Sequence, residues 1–180
     1  GKKIPDTIDA GHLWILPSDI HLSGAEIELS HKIGRETRLQ EALLPIMDEF
    51  DYIIIDTPPS LGLLSINAMC AANWVMVPVQ AEYYALEGLG QLIRNVDLVT
   101  RNLNPTLELS TIVLVMFDSR TKLSGQVVDE VREHFGDKVM RNMIPRTVRL
   151  SEAPSFGQPI TTFDPGSRGA TAYRTLAKEI

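Results

Sequence analysis

The sequence predicts an α/β fold with a mostly parallel sheet that is flanked by helices. Short apolar runs alternate with segments of helical periodicity along the 180 residues, and such alternation is typical of parallel-sheet proteins. The run Tyr52–Ile55 is uninterrupted and rich in β-branched residues, as expected of a strand that is buried on both faces. Because we find no linker, repeat or low-complexity segment, we expect one domain over residues 1–180.

The element boundaries follow from apolar periodicity and from chain-breaking residues. Apolar runs that end at proline, aspartate or polar turns predict strands over residues 13–16, 52–55, 74–78, 110–117 and 139–144. Apolar residues at helical spacing predict helices over residues 22–30, 37–47, 64–72, 86–101, 124–135 and 169–180, with a short helix after Leu150. Since strands and helices alternate, most strands should run parallel.

The composition excludes several classes of protein. The net charge is -6, so any contact with nucleic acid must come from a local basic face. The single cysteine, Cys70, excludes an internal disulfide and a Cys-x-x-Cys metal site, and it is compatible with a reducing cytoplasm. No apolar run approaches the ~20 residues that a membrane-spanning helix requires, so we expect no insertion into membranes.

Asp56 directly follows the apolar run and is the first candidate functional residue. Open α/β sheets bind ligands at the edge formed by the carboxyl ends of their strands. A carboxylate at that edge can hold Mg²⁺ through a water molecule beside the phosphates of a nucleotide, which is the Walker B arrangement. Four apolar residues followed by aspartate are equally compatible with a simple cap of the next turn or helix, so both interpretations stay open on this motif alone.

Longer strings resemble the ParA/Soj family of partitioning ATPases, and the likeness covers nearly the whole chain. The strings are Asp56–Gly62 (DTPPSLG), Pro78–Gly88 (PVQAEYYALEG), Phe117–Ser124 (FDSRTKLS), Ile144–Gly157 (IPRTVRLSEAPSFG) and Ser167–Ala170 (SRGA). The string that begins at Ile144 is the most specific, far more so than a lone G-x-G-x-x-G. The resemblance implies a P-loop NTPase-like fold of the deviant Walker type.

The resemblance also implies a function and its partners. ParA-type ATPases bind ATP and Mg²⁺, form an ATP-dependent homodimer and bind double-stranded DNA without sequence preference, and a ParB-type partner stimulates their hydrolysis. We therefore expect an ATPase of chromosome or plasmid partitioning that is cytoplasmic, associated with the nucleoid and not bound to membranes. The alternatives are a relative that positions a protein cargo and a non-catalytic paralogue that binds DNA or a partner.

Matched residue by residue, the family motifs imply three groups of site residues. Asp56 corresponds to the Walker B acid, which binds Mg²⁺ through water. The nucleotide is expected to lie against Met116, Phe117, Asp118, Pro145, Arg146 and Thr147. DNA phosphates are expected to contact Arg120 and Arg149, with Lys122 as an extension of the same face.

A phosphate-binding loop is expected from the resemblance, but the sequence does not contain one. The pattern G-x-x-x-x-G-K-[ST] does not occur in the 180 residues. Gly1-Lys2-Lys3 lacks the hydroxyl residue, and Pro5 opposes the helix that must follow. In the family this loop, and the central strand before it, precede the strand that matches residues 13–16. We therefore expect part of a longer ATPase, in preference to a truncated paralogue or one half of a two-chain enzyme. We also expect unpaired sheet edges and no ATP turnover by the chain alone.

Overall fold

The computed structural model describes residues 8–9, 13–58 and 60–180. Contacts between residues divide the chain into two compact units, one ending at Ala71 and the other beginning at Ala72. Unit 1 denotes the first of these and unit 2 the second. Among the described residues, no helix is both long and apolar enough to cross a membrane.

The described part of unit 1 holds a short antiparallel ribbon and a set of short helices. Strands β1 (Ile8–Asp9) and β2 (Trp14–Ile15) pair with each other, so the strand predicted over residues 13–16 is shorter than expected. The helices are α1 (Gly24–Leu29), α2 (Arg38–Leu43) and α3 (Leu63–Ala71), with 3₁₀ turns at Ile20–Ser23 and Leu44–Glu49. The helix predicted over residues 37–47 changes to a 3₁₀ turn near Pro45, because proline cannot donate the next helical hydrogen bond.

Helix α3 follows the DTPPSLG string and is capped by a distant side chain. The Glu26 carboxylate accepts a hydrogen bond from the backbone N–H of Leu64 at 3.3 Å, where the N-terminal end of the helix dipole favours negative charge. A Cβ atom added at Gly62 would collide with Glu26 Oε1. The glycine in this string is therefore required for the close approach of the capping carboxylate.

The strand predicted over residues 52–55 is wrong for this structure. Residues 52–58 form neither helix nor strand, and Ile54 is 92% exposed. A strand forms only where a neighbour supplies hydrogen-bond partners, and none of the segments in residues 8–9, 13–58 and 60–180 pairs with this run. The run therefore has the composition of a buried strand without the partner that would bury it.

Unit 2 is an α/β unit with helices on both faces of two parallel strands. Strands β3 (Trp74–Gln80) and β4 (Glu108–Val115) pair in parallel, with a register irregularity near Met76. The helices are α4 (Ala85–Asn102), α5 (Lys122–Phe135), α6 (Val148–Glu152), α7 (Ile160–Phe163) and α8 (Arg168–Glu179), with 3₁₀ turns at Gly136–Lys138 and Ala153–Phe156. The α/β fold class with a parallel sheet is confirmed.

Strand β4 is buried on both faces and forms the centre of unit 2. Ile112 and Leu114 belong to an apolar cluster with residues of α4 and α5. Val113 packs instead with Ala172 and Leu176 of α8. Successive side chains of a strand point to opposite faces, so an uninterrupted apolar run is what a strand between two helical layers requires.

The strand predicted over residues 139–144 forms only in part. The backbone N–H groups of Met140 and Ile144 donate to the carbonyl oxygens of Ile112 and Leu114, both at 2.9 Å. Only isolated parallel bridges result, because the N–H groups of Arg141 and Asn142, which lie between the two contacts, donate to the Glu179 carboxylate instead. The segment thus follows β4 without completing a third strand.

Glu179, in the last turn of α8, ties that helix to the segment that follows β4. Its carboxylate accepts hydrogen bonds from the backbone N–H groups of Arg141 at 2.5 Å and Asn142 at 3.0 Å. We expect Glu179→Gln to lower the free energy of unfolding by about 0.5–1 kcal/mol at neutral pH, because the carboxylate lies near the surface and the charged hydrogen bonds are partly screened. Urea denaturation measures this loss.

The same contact gives the loss a defined pH dependence. The N–H groups of Arg141 and Asn142 hold the pKa of Glu179 below its ordinary value of 4.5. The stabilisation is therefore present above pH 4.5 and disappears as the pH falls through the lower pKa of the folded state. The difference between wild type and Glu179→Gln should shrink over that range, while the exposed control Glu133→Gln changes little throughout. A difference that persists unchanged down to about pH 3 would contradict this account.

Candidate functional site at the carboxyl edge of unit 2

The chain leaves strand β4 through a strained residue. Met116 has a φ of 54°, which is the left-handed region that side chains with a Cβ rarely occupy. Such a conformation costs about 1 kcal/mol or more and is retained where the surrounding structure fixes it, often at functional sites. Met116 also lies at the carboxyl end of two parallel strands, the edge at which α/β sheets bind ligands.

Two of the predicted nucleotide-binding segments meet directly after this residue. The Phe117 backbone N–H donates to the carbonyl oxygen of Ile144 at 3.1 Å, and the Arg146 N–H donates back to the carbonyl oxygen of Phe117 at 3.0 Å. This pair of hydrogen bonds forms a parallel bridge between Phe117 and Pro145. Residues 116–118 and 145–147, which are about thirty positions apart in the chain, therefore share one edge.

The loop after β3 joins the same edge through an ion pair. Arg146 Nη2 lies 2.6 Å from Glu82 Oε1, and both side chains are about half exposed. Next to Glu82, the exposed rings of Tyr83 and Tyr84 meet edge to face with centroids 5.2 Å apart. Arg146 is thus held between the two loops and is not a free surface cation.

Asp118 and Arg120 form an ion pair. The Arg120 Nε donates to Asp118 Oδ1 at 2.9 Å and Nη2 donates to Oδ2 at 2.7 Å, a two-pronged contact. The guanidinium and the backbone N–H of Arg120 hold the pKa of Asp118 well below its usual range, so this carboxylate stays ionised. The side chain of Arg120 is nevertheless 86% exposed, and its face remains accessible to an anion.

Thr147 and Lys122 both begin helices. The Thr147 hydroxyl oxygen accepts from the Leu150 N–H at 3.3 Å and caps α6. Lys122 is exposed in the first turn of α5. Thr147 therefore serves the local structure of the loop, and Lys122 adds a positive charge after Arg120.

Arg149 lies in a second cluster, on α6. Its Nε donates to Asp164 Oδ2 at 2.9 Å, and its Nη1 donates to Glu152 Oε2 at 3.1 Å. The guanidinium carbon lies 5.1 Å from the centre of the Phe163 ring, which stacks on Phe156 at 4.9 Å. The predicted DNA-binding arginine is thus clamped by two carboxylates and an aromatic ring.

Asp56 lies in unit 1 and is exposed. Its carboxylate makes no hydrogen bond or ion pair with any other residue that the structure describes. It is therefore available to a ligand, as a metal partner must be, and it does not cap a neighbouring helix. The sequence-based alternative of a simple cap is not supported by these contacts.

The residues at the carboxyl edge of β4 are better suited to contact the base of a nucleotide than its phosphates. Phe117 and Met116 are partly buried apolar groups, and such groups are suited to contact with a flat ring. Within residues 8–9, 13–58 and 60–180, no group of three or more His, Cys, Asp or Glu side chains could hold a metal ion.

Sequence reasoning missed the acidic partners of the arginines. Glu152 stands three positions after Arg149, a spacing that brings charges together on a helix, so it could have been found. Glu82 and Asp164 are 64 and 15 positions away from the arginines that they bind, and no local pattern signals them. The predicted free basic face is therefore largely neutralised by carboxylates in this structure.

Comparisons with known proteins agree with the fold. A family model described as an AAA domain matches residues 2–109. The sporulation initiation inhibitor protein Soj of Bacillus subtilis is 55% identical over 169 residues, which cover 94% of this chain and 67% of that protein. The chromosome partitioning protein ParA of Myxococcus xanthus is 52% identical over 169 residues, with coverage of 94% and 60%.

Solved structures are similar over the same span. A protein of Mycobacterium smegmatis named cobyrinic acid a,c-diamide synthase, crystallised with ADP and magnesium, is 37% identical and superimposes with a TM-score of 0.76, covering 92% of this chain and 60% of that one. Apo McdA of Cyanothece has a TM-score of 0.79 at 21% identity, with coverage of 92% and 67%. The second likeness shows the fold alone.

The fold and these neighbours place the chain in the α/β class of P-loop NTPase folds. Within that class the chain belongs to the ParA/Soj family of partitioning ATPases. The chain spans about 60–67% of the length of the relatives that it matches.

Proposed function

We propose that the protein acts in an ATP-driven cycle of chromosome or plasmid partitioning. In this cycle ATP and Mg²⁺ support a homodimer, the dimer binds double-stranded DNA without sequence preference, and a ParB-type partner stimulates hydrolysis. The protein would then be cytoplasmic and associated with the nucleoid. Because the chain spans only part of its relatives' length, turnover and partner response are proposed for the whole protein.

The pairing of Phe117 with Pro145 is the observation that favours this function most. It brings residues 116–118 beside residues 145–147, and these are the segments that the family resemblance assigns to the nucleotide. The left-handed Met116 lies at the same place, and strained residues are common where a ligand is bound. An assignment of these segments to the base of ATP therefore has support from backbone geometry as well as from resemblance.

Photoaffinity labelling tests the nucleotide site. We expect 8-azido-ATP, added with Mg²⁺ and activated by light, to label peptides that contain residues 116–118 and 145–147, and unlabelled ATP to compete. Arg146→Ala should reduce the labelling several-fold, because it removes the side chain that joins these loops to Glu82. The matched control Arg101→Ala removes an exposed arginine from the last turn of α4 and should leave the labelling unchanged.

Two results would overturn the nucleotide assignment. One is labelling that falls mainly outside the two segments, and the other is labelling that excess ATP does not reduce. Equal loss of labelling in Arg146→Ala and Arg101→Ala would show that only total positive charge matters.

A further inference from the structure

We propose that Asp164 and Glu152 form an acidic clamp that keeps Arg149 from binding phosphate, so that contact with DNA requires the clamp to open. This inference rests on the proposed DNA-binding function of Arg149. It assigns to the carboxylates of Asp164 and Glu152 the role of lowering the affinity of Arg149 for DNA phosphates.

The clamp engages two of the three guanidinium nitrogens of Arg149. Nε contacts Asp164 at 2.9 Å, Nη1 contacts Glu152 at 3.1 Å, and the Phe163 ring lies 5.1 Å from the guanidinium carbon. Phosphate binds arginine best through two parallel N–H donors. Because the single Nε–H is occupied by Asp164, the pair of donors formed by Nε and Nη2 is not available to a phosphate in this structure, and Glu152 competes for Nη1.

Electrostatics decides between a clamp that blocks DNA and one that merely orients the arginine. One positive charge and two negative charges give the clamp itself a sum of -1, so its carboxylates offset the attraction of Arg149 for a phosphate. A carboxylate that only orients an arginine must not outweigh its charge, and the single partner Asp118 leaves the Arg120 pair neutral. The second carboxylate makes the arrangement unfavourable for a polyanion.

The clamp joins two separate structural elements. Asp164 is fixed between α7 and α8, where its carbonyl oxygen accepts from the Ser167 N–H at 3.0 Å and hydroxyl at 2.8 Å. Arg149 and Glu152 are both carried by α6, a helix of five residues. Both ion pairs are partly exposed, and pairs of that kind are weak enough for a DNA phosphate to displace.

The test compares DNA affinity in isosteric variants that remove one negative charge. Fluorescence anisotropy with a labelled duplex of arbitrary sequence, in the presence of ATP and Mg²⁺, gives the affinity over a range of salt concentrations. We expect Asp164→Asn and Glu152→Gln each to raise affinity by about 3- to 10-fold at low salt, and the double variant to raise it further. The slope of the logarithm of the binding constant against the logarithm of the salt concentration should become more negative by about one, because Arg149 then contacts one more DNA phosphate.

Two controls make the result specific. Glu36→Gln removes the same charge from the exposed Arg35–Glu36 pair, whose Nε–Oε1 distance is 2.8 Å, and should leave affinity unchanged. Arg149→Ala in the Asp164→Asn background should abolish the gain, because the freed arginine is its cause. Melting curves of each variant establish that the fold is retained.

The outcomes separate this inference from the function on which it rests. Binding by the wild type with no gain, or with a loss, in Asp164→Asn overturns the clamp and leaves DNA binding intact. An equal gain in Glu36→Gln also overturns it, since total charge would then be sufficient. If neither wild type nor any variant binds duplex DNA at low salt, both the clamp and the proposed DNA-binding function fail.

Discussion

Arg149→Glu is expected to lower the affinity of the protein for duplex DNA by at least about tenfold at low salt, while nucleotide labelling stays near the wild-type level. The substitution replaces the proposed phosphate contact with a third negative charge beside Asp164 and Glu152. Residues 116–118 and 145–147 lie in the other cluster, so the nucleotide segments should be little affected. Anisotropy titrations with and without ATP and Mg²⁺ measure the change.

A matched charge reversal makes the Arg149 result interpretable. Arg101→Glu changes the net charge by the same amount on the exposed end of α4, and we expect a much smaller loss. Arg120→Ala should flatten the salt dependence of binding, because one phosphate contact is removed. If Arg149→Glu binds DNA as tightly as wild type at low salt, the assignment of Arg149 to DNA is wrong.

Leu114→Ala should lower the free energy of unfolding by about 2–5 kcal/mol. Leu114 is 0% exposed in β4 and belongs to the apolar cluster shared with α4 and α5. Removing its branched end leaves a cavity that the two helical layers can fill only partly. Chemical denaturation followed by circular dichroism gives the loss, and a fall in the midpoint with an unchanged slope would show that the unfolding remains cooperative.

Leu98→Ala is the control for the core substitution. Leu98 is 58% exposed on α4, so the same chemical change should cost less than about 0.5 kcal/mol. Equal losses in Leu114→Ala and Leu98→Ala would mean that β4 is not the centre of the core. Because the two substitutions are chemically identical, a difference between their losses reports the position of each leucine in the fold.

The longer helices α4, α5 and α8 and the strands β3 and β4 were predictable because their signals are local. Apolar spacing predicts a helix over residues 86–101, where α4 covers Ala85–Asn102. The apolar run predicts a strand over residues 110–117, where β4 covers Glu108–Val115. In both cases the pattern that defines the element also supplies its packing, since the apolar face or run is what the neighbouring layers bury.

The run over residues 52–55 shows where such reasoning fails. Its side chains have the composition of a buried strand, but strand formation depends on a partner at hydrogen-bonding distance, and no described segment provides one. Residues 139–144 are an intermediate case, because β4 offers a partner but the N–H groups of Arg141 and Asn142 donate to Glu179. Strand propensity is a property of the segment, whereas pairing is a property of its surroundings.

The sequence by itself determined the α/β class, the longer helices of unit 2, the family and the identity of the candidate site residues, because periodicity and continuous motifs are written along the chain. Only the tertiary structure decided which charges meet. Glu82 reaches Arg146 and Asp164 reaches Arg149 across 64 and 15 positions, so no spacing rule connects them. The physical reason is that ion pairs depend on distance in space, and that distance is set by how β3, β4 and the helices pack.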